Sequence, residues 1–430
     1  MPRALDSSRP RASVRKCDRH RRRAYARGVK GRAVIAAAGV LLAVVAASAL
    51  AVADSAPLAS LDWVAWTASP AVISEATSAR DAELLAHCGS GEAGLREAAK
   101  RIALSRLPGS SRIDLDRLDV ILRASGEPHV WPRAWVVTGH SLDHDATLAK
   151  MDTWRASFHD EGERRCGVAS ARASDGTEVI AAVAVFALAD LAPVAVRAHV
   201  GSWLTIDATL LVATEDAHVV VQEGDSDPRR VPSWTRMENG EPHVVARFAP
   251  DHTGDVTMQV VADVATGPRP ILEARVFADV DPPARLEATP APGEAAIATT
   301  VAAGGDASDA LYAMVASLRE AEHLPGLARD TRLDAVARAH ARRMLAAHVV
   351  GHDVGDGDPA ERTGAAGLHP RLVGENVAHA AGVRLAHRAL FESPSHRANL
   401  LRDDFTSIGT AVVSDVDGSV WVAEVMAAGL

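Results

Sequence analysis

The hydrophobic residues follow a helical spacing in the first third of the chain. From Ser78 to Leu107 they recur every three or four positions, which predicts a helix. The same spacing predicts shorter helices over 115–122 and 144–158, and the apolar run 178–186 predicts a buried strand. Together these segments predict an α+β module over residues 78–190.

The middle of the chain, residues 194–280, changes to short runs rich in β-branched residues. Turn signals such as Asn239-Gly240 and Gly267-Pro268 separate these runs. The predicted strands are 203–206, 218–221, 243–248, 256–261 and 271–277. Strands at this spacing predict a small antiparallel sandwich, and no catalytic constellation lies within it.

A segment rich in Pro, Ala and Gly, residues 281–305, predicts a semi-rigid linker to a last module over 306–430. Helical spacing returns in this module, and a pair of strands with a turn at Asp417-Gly418 closes it. The predicted helices are 308–323, one that starts at the cap Asp330-Thr331, and 383–392, and the predicted strands are 408–413 and 420–426.

Charge is distributed unevenly along the chain. Residues 1–32 carry a net charge of +10, and the other 398 residues carry −19. Residues 33–53 are uncharged, and 10 of these 21 residues are alanine. A basic head before an apolar segment predicts export, with the head in the cytoplasm, and residues 54–77 then form a spacer. The segment is either a signal peptide ending at Ala51-Val52-Ala53 or an uncleaved anchor in the inner membrane.

The acidic remainder of the chain argues against nucleic acid as a partner, because nucleic-acid binders carry positive charge on their folded part. The cysteines are too few for a disulfide-dense miniature fold or a four-cysteine zinc site. Outside the cytoplasm, Cys88 and Cys166 either form one disulfide or remain two buried thiols.

Five motifs stand in order in the last module. They are His340-Ala341-Arg342-Arg343-Met344, the loop residue His352, Gly374-Glu375-Asn376, the run from Ser393 to Leu401, and Ile408-Gly409-Thr410-Ala411-Val412. Together they resemble the CAP superfamily of cysteine-rich secretory, antigen 5 and pathogenesis-related proteins in its bacterial, SCP-like form. Two features depart from the family pattern: Leu390 replaces a common aromatic residue, and Ser395 replaces a common glycine.

The resemblance implies an α-β-α sandwich with an open cleft that holds His352, Glu375 and His396. His348 is the alternative to His352. Two imidazoles and a carboxylate can bind a divalent ion such as Zn²⁺, with His352 and His396 as ligands, or exchange protons without a metal. The residues expected to support the cleft are Asn376, Arg397 and Asn399.

Other polar residues of the module have simpler interpretations. His340 lies on an apolar helix stripe, which favours a core histidine bonded to the backbone. The spacing of Asp353, Asp356 and Asp358 does not match an EF-hand, which favours a solvated turn.

The N-terminal module contains a motif spacing similar to that of the last module. Cys166-Gly167 precedes Asp175-Gly176 by the interval that separates Ile408-Gly409 from Asp417-Gly418. This pattern indicates either a degenerate CAP-like repeat or a coincidence between two common hairpins. In a repeat, Trp135-Val136-Val137 would replace Gly-Glu-Asn, and Phe158-His159 would replace Pro-x-His.

The sequence therefore predicts an exported, extracytoplasmic envelope protein, either anchored or secreted. Its CAP module binds or scaffolds a lipid, wall or protein ligand. The alternative is a metal-dependent hydrolase that uses the His and Glu side chains of the cleft, with water on the metal as the nucleophile.

Overall fold

The computed structural model describes Trp63 and residues 78–110, 117–284, 290–297, 300 and 304–430. All of them belong to one compact unit, Ser55–Leu430. The predicted basic head, the apolar segment 33–53 and the spacer, Trp63 apart, lie outside the described residues. No helix among the described residues is both long and apolar enough to cross a membrane.

The N-terminal module places helices on both faces of one sheet. The sheet order is β1-β3-β4-β2, with β1 parallel to β3 and the other pairs antiparallel. Buried apolar side chains of alternate strand residues pack towards each face. The elements described in this module are α1 (Ala79–Cys88), β1 (Ser90–Gly91), α2 (Ala93–Ser105), α3 (Leu118–Ala124), β2 (Arg133–His140), α4 (His144–Ala156), β3 (Glu163–Arg172) and β4 (Thr177–Ala187).

The single helix predicted over Ser78–Leu107 is wrong, because a short strand divides it into α1 and α2. At Gly89 the chain passes so close to β3 that a Cβ atom would lie 2.7 Å from the carbonyl oxygen of Arg164. Cys88, at the end of α1, forms a disulfide with Cys166 of β3, and their Cα atoms are 6.0 Å apart. The helix therefore stops where the chain must join the sheet.

The central module is a two-sheet sandwich, as the sequence predicted. The sheet orders are β10-β11-β7-β5 and β6-β13-β12-β8-β9, and apolar side chains from both sheets form the core. The short strands β5, β6, β9 and β10 were not predicted. The strands are β5 (Ala189–Leu191), β6 (Arg197–Ala198), β7 (Leu204–Leu210), β8 (Ala217–Glu223), β9 (Arg229–Val231), β10 (Ser233–Glu238), β11 (Glu241–Phe248), β12 (Gly254–Val264) and β13 (Gly267–Ala278).

The C-terminal module is an α-β-α sandwich, which confirms the predicted fold class. Its sheet order is β14-β16-β17-β15, and two buried apolar clusters lie on opposite faces of the sheet. Asp306 and Asp330 cap the first two helices. The elements are α5 (Ala307–Ala321), β14 (Ala328–Arg329), α6 (Thr331–Ala347), α7 (Pro359–Ala365), β15 (Leu372–Ala380), α8 (Val383–Glu392), α9 (Pro394–Leu401), β16 (Ser407–Ser414) and β17 (Val420–Ala428).

The N-terminal and C-terminal modules share one topology. In each, a two-residue strand pairs in parallel with the third strand, and the fourth strand lies between the third and the second. The helices interrupt the strands in the same order, except that the N-terminal module lacks a counterpart of α9 between α4 and β3.

The same close contact between a helix and the sheet occurs in both modules. A Cβ atom on Gly167 would lie 2.0 Å from the carbonyl carbon of Leu95 in α2, and one on Gly409 would lie 2.1 Å from that of Leu333 in α6. Only glycine leaves room for the helix backbone at these two positions. The two modules therefore share their strand order and this contact between a helix and the sheet.

The strand register corrects the predicted correspondence at the second strand. Val183 pairs with Gly167 and Ala134, whereas Val425 pairs with Gly409 and Glu375. The position of Glu375 is therefore taken by Ala134. Arg133-Ala134-Trp135 therefore stands where the C-terminal module has Gly-Glu-Asn, two residues earlier than the predicted Trp135-Val136-Val137.

Candidate functional site

Edge strand β15 directs Glu375 into the interior of the C-terminal module. Oε2 of this buried side chain lies 2.9 Å from Nδ1 of His352, and Oε1 accepts a hydrogen bond of 2.6 Å from Nη2 of Arg362. Burial raises the pKa of Glu375, but His352, His340 and Arg362 outweigh burial and hold it below its usual value. Glu375 is thus an ionised carboxylate in a buried ion pair.

His340 on α6 lies beside this ion pair. Its Nε2 donates a hydrogen bond of 2.8 Å to the carbonyl oxygen of Gly351, and Nδ1 lies 3.0 Å from Oδ2 of Asp356. Nε2 is also 3.7 Å from Oε2 of Glu375. His340 is therefore a core histidine bonded to the backbone, as expected, and it also contributes to the surroundings of Glu375.

The acidic loop after α6 is a partly exposed turn, in keeping with the sequence interpretation, and its carboxylates hold the loop together. Asp353 accepts hydrogen bonds from three backbone N–H groups of the loop, Asp356 contacts His340, and Asp358 caps α7. Arg362 of α7 donates to the carbonyl oxygens of His352 and Gly357. The carboxylates thus fix the loop that presents His352.

His396 lies in the first turn of α9, and its side chain is buried. Nδ1 is 2.7 Å from Oγ of Ser393, and no hydrogen bond joins the described atoms of His396 to Glu375 or His352. Burial, with the positive charges of His352 and Arg269, lowers the pKa of His396 to about 3. The ring is therefore neutral at physiological pH.

Two of the three expected supporting residues connect the Glu375 and His396 regions. Asn376 donates to the carbonyl oxygen of His396 (3.2 Å) and to Oε2 of Glu424 (3.1 Å). Asn399 donates to the backbone oxygen of Glu375 (3.2 Å) and to Oδ1 of Asn376 (3.0 Å). Glu424 was not predicted, and burial raises its pKa to about 7.

Two other candidates lie outside this network. Arg397 stacks on Phe391, with its guanidinium carbon 4.4 Å from the ring centre, and donates to the backbone of Asp225 at 3.4 Å. It therefore joins α9 to the sandwich. His348, the alternative to His352, ends α6 in a left-handed conformation and lies edge-on to Trp421.

The C-terminal residues do not fit a divalent metal as arranged. Among the described residues, two groups bring three ligand atoms within 4.8 Å of one another, and neither contains His352, Glu375 or His396. The guanidinium of Arg362 occupies one oxygen of Glu375, and Nδ1 of His352 faces the other. A cation already neutralises this carboxylate. The two groups are Glu92, Glu127 and His129, and Asp207, Glu238 and His243.

Comparisons with known proteins identify the C-terminal module. Residues 312–425 match the family model CAP, the cysteine-rich secretory protein family. The C-terminal module is a CAP domain. No curated protein matches the chain significantly.

Solved structures with similarity to the chain come from several bacteria. An outer surface protein of Borrelia burgdorferi is 23% identical, with 28% of this chain and 90% of that chain covered and a TM-score of 0.27. An extracellular SCP-domain protein of Bacillus anthracis is 16% identical, with coverage of 52% and 82% and a TM-score of 0.27. A cysteine-rich secretory protein of Staphylococcus aureus is 12% identical, with coverage of 53% and 78% and a TM-score of 0.24.

The cleft of the CAP domain is not open, in contrast to the expectation from the resemblance. The turn between β12 and β13 of the sandwich lies on the loop of His352. The carbonyl oxygen of Thr266 accepts hydrogen bonds from the backbone N–H groups of His352 (2.7 Å) and Asp353 (3.1 Å). A Cβ atom on Gly267 would lie 2.8 Å from Cβ of His352. The sandwich therefore covers this side of the cleft.

A cavity of about 470 Å³ lies where the three modules meet. The N-terminal module contributes the edge strand β2, the CAP domain contributes β15, α8 and α9, and the sandwich contributes β12 and β13. The lining includes the side chains of Ala134, Arg133, Phe158, Gln259, Glu273 and His396.

Sequence reasoning named Glu375, His352 and His396, and the structure places His352 beside Glu375 and His396 beside Ser393. It missed the residues that complete their surroundings. Arg362 and Gln259 lie outside the family motifs. The acidic loop and α7 bring Arg362 to Glu375, and a different module supplies Gln259. A single arginine following a capping Asp-x-x-Glu was the only signal in the sequence for Arg362.

Proposed function

We propose that this protein binds a small ligand in the cavity between its three modules. The observation that carries the proposal is the cavity itself, which brings buried His396 of the CAP domain into one space with an apolar wall from the N-terminal module. Concave, mostly apolar sites with a few polar groups are typical of small-molecule binding. Both carboxylate oxygens of Glu375 are already bonded, to His352 and Arg362, which gives this residue a structural role beside the cavity.

The polar groups of the cavity favour a ligand with an anionic or otherwise electron-rich end. Arg133 lines the cavity, and its Nη1 donates to Nδ1 of His379 at 2.6 Å. Among the described residues, no carboxylate lies within salt-bridge distance of Arg133. Burial lowers the pKa of this guanidinium, so a ligand anion would relieve its desolvation.

A metal-dependent hydrolase is the weaker proposal. It needs Glu375 and the histidines free to bind Zn²⁺ or to activate water, whereas Glu375 is held by His352 and Arg362. Metal analysis of the wild type and a His352→Ala/His396→Ala variant separates the two proposals. Metal bound by the wild type and lost in the variant would support the hydrolase.

Binding is tested with the fluorescent aromatic sulfonate 1-anilinonaphthalene-8-sulfonate. The variant Ala134→Trp fills the cavity, and we expect it to abolish the blue-shifted emission of the bound probe. The matched control, Ala149→Trp, adds the same ring to an exposed position of α4 outside the cavity. Equal probe binding by the wild type and Ala134→Trp would overturn the proposal.

We also propose that the protein acts outside the cytoplasm. The basic head before residues 33–53 and the disulfide between Cys88 and Cys166 support export. Mass spectrometry of the mature chain distinguishes the two forms of export. A mature N-terminus near Asp54 indicates secretion after cleavage, and an intact N-terminus in the membrane fraction indicates an anchor.

A further inference from the structure

The sandwich reaches the binding cavity through one amide side chain, that of Gln259 on β12. Oε1 of Gln259 accepts a hydrogen bond of 3.0 Å from the backbone N–H of Ser395, and Nε2 donates one of 2.8 Å to Oε2 of Glu273. A backbone N–H can only donate, and an ionised carboxylate can only accept. Both ends of the amide are therefore assigned, and the flipped orientation would lose both bonds.

The second hydrogen of the Gln259 amide determines which hydrogen bonds the hydroxyl of Ser393 accepts and donates. Nε2 of Gln259 donates to Oγ of Ser393 at 3.0 Å, so the hydroxyl oxygen acts as an acceptor there. Its own hydrogen has three acceptors in reach: Nδ1 of His396 at 2.7 Å, Oε1 of Gln259 at 3.4 Å and Oγ of Ser395 at 3.5 Å. If Nδ1 of His396 carried the ring hydrogen and donated to Oγ, the hydroxyl hydrogen would be left with one of the two longer contacts. A hydroxyl that donates to Nδ1 therefore makes the stronger set of hydrogen bonds.

An imidazole that accepts at Nδ1 and is neutral carries its hydrogen on Nε2. His396 is buried and lines the cavity, and its Nε2 has no hydrogen-bond partner among the described residues. Nε2 is therefore the ring atom left for a ligand.

We propose that Gln259 of the sandwich fixes His396 as the Nε2–H tautomer, so that the cavity presents a donor and its ligand meets that donor with an acceptor oxygen. Carboxylate, phosphate, sulfonate and carbonyl groups provide such an oxygen, whereas an ammonium group does not. The identity of the ligand group rests on the function proposed above. Gln259 is a positioning residue: it acts on the ligand through Ser393 and His396.

The tautomer is measured by nitrogen-15 NMR of the histidine-labelled full-length protein without ligand. The signals of His396 are assigned by their loss in a His396→Gln variant. We expect the ring hydrogen on Nε2 in the wild type. A wild-type hydrogen on Nδ1 would overturn the proposal.

An exchange of amide and carboxylate tests the role of Gln259 directly. In Gln259→Glu/Glu273→Gln the total charge is unchanged, and the amide at 273 can donate to the carboxylate at 259 while its oxygen faces Arg123. The new carboxylate takes the hydroxyl hydrogen of Ser393, so we expect His396 to move its hydrogen to Nδ1. An unchanged tautomer in this folded variant contradicts the proposal.

Two further variants keep the test decisive. Ser393→Ala removes the relay, and we expect a mixture of both tautomers even if the exchanged pair does not fold. A single tautomer on Nε2 in Ser393→Ala would contradict the relay. Gln222→Glu alters the same residue type on the neighbouring strand β8, where the amide donates to the carbonyl oxygen of Gly224 and makes no hydrogen bond to the described atoms of Ser393 or His396. We expect it to leave the signals of His396 unchanged.

A titration separates this inference from the proposed function. Adding 1-anilinonaphthalene-8-sulfonate to the wild type should shift the Nε2–H signal of His396, and the exchanged pair should bind the probe about tenfold more weakly. If the tautomers are as expected but the probe does not bind, the proposed function fails and the role of Gln259 stands. If the probe binds the wild type and the exchanged pair equally, the assignment of the ligand group is wrong.

Discussion

At the scale of single residues, the CAP domain keeps two kinds of buried acid. Glu375 is ionised because Arg362 and two histidines surround it, whereas Glu424 has one amide donor, Asn376, and a second oxygen without a partner. Charge compensation therefore decides the protonation state where burial is equal. The motif residue Glu375 could be predicted from the sequence. Glu424 could not, because its position on a strand of small and apolar residues does not reveal which polar groups face it.

The raised pKa of Glu424 gives stability a defined pH dependence. The folded state holds this proton up to about pH 7, whereas the unfolded chain loses it near pH 4.5. Because the folded state binds more protons in this interval, stability falls as the pH rises from about 4.5 to 7. We expect Glu424→Gln to remove this loss, which amounts to about 3 kcal/mol.

The measurement is urea unfolding of the wild type and Glu424→Gln at several pH values. The two proteins should diverge above pH 4.5 and differ by a constant amount above pH 7. Parallel stability curves across this interval would show that Glu424 is ionised in the folded protein.

At the scale of elements, helices and long strands could be predicted and their interruptions could not. The spacing of apolar residues is the same on either side of Gly89, so it predicts one helix where β1 separates two. Strands β5, β6 and β9 have two or three residues, too few to establish an alternation. Contacts made from short elements, such as that of Arg362 in α7, depend on the path of the chain that places the element, which periodicity does not encode.

The paired close contacts of helix and sheet predict the same cost in both modules. Gly167→Ala and Gly409→Ala each place a methyl group within about 2 Å of a helix backbone, where nothing flexible can move aside. We expect each change to destabilise the protein by about 1–3 kcal/mol, because the helix must shift away from the sheet. Urea unfolding measures the loss.

The control for these variants is Gly364→Ala in α7, where no atom lies within 4 Å of the added Cβ atom. It should be neutral or stabilising by up to about 1 kcal/mol, because alanine favours a helix over glycine. If Gly167→Ala or Gly409→Ala behaves like this control, the helix and sheet of that module are not in close contact in solution.

At the scale of the whole molecule, the CAP site is assembled from three modules. The sequence predicted three modules and the resemblance of the last one to the CAP superfamily. It did not predict any contact between the modules. The contact between Thr266 and the loop of His352, and that between Gln259 and α9, join segments about 90 to 140 positions apart. Motif spacing carries no information about contacts of this kind, and the expected open cleft was wrong for that reason.

A single substitution in the turn between β12 and β13 should lift the sandwich from the loop of His352. In Gly267→Val the new side chain would clash with Cβ of His352, and we expect the turn to lift from the loop. The backbone N–H groups of His352 and Asp353 would then lose Thr266 as their acceptor, and their hydrogen exchange should accelerate about tenfold. Hydrogen-exchange mass spectrometry of peptides that cover this loop provides the measurement.

Gly240→Val is the matched control for Gly267→Val. Gly240 also has a positive φ, in the turn between β10 and β11, but no atom lies within 4 Å of an added Cβ. Its backbone strain is comparable, and it does not touch the CAP domain. Exchange at His352 that responds equally to both variants would mean that the sandwich does not protect the loop.

The shared topology of the two outer modules has a consequence for detecting this architecture in other proteins. The family model matches residues 312–425, and the N-terminal module has Ala134 where the C-terminal module has Glu375. Strand order and one glycine against a helix are common to the two modules, whereas the motif residues are not. In other proteins, a segment that precedes a CAP domain and matches no family should be searched for a module with this strand order and without the motif residues.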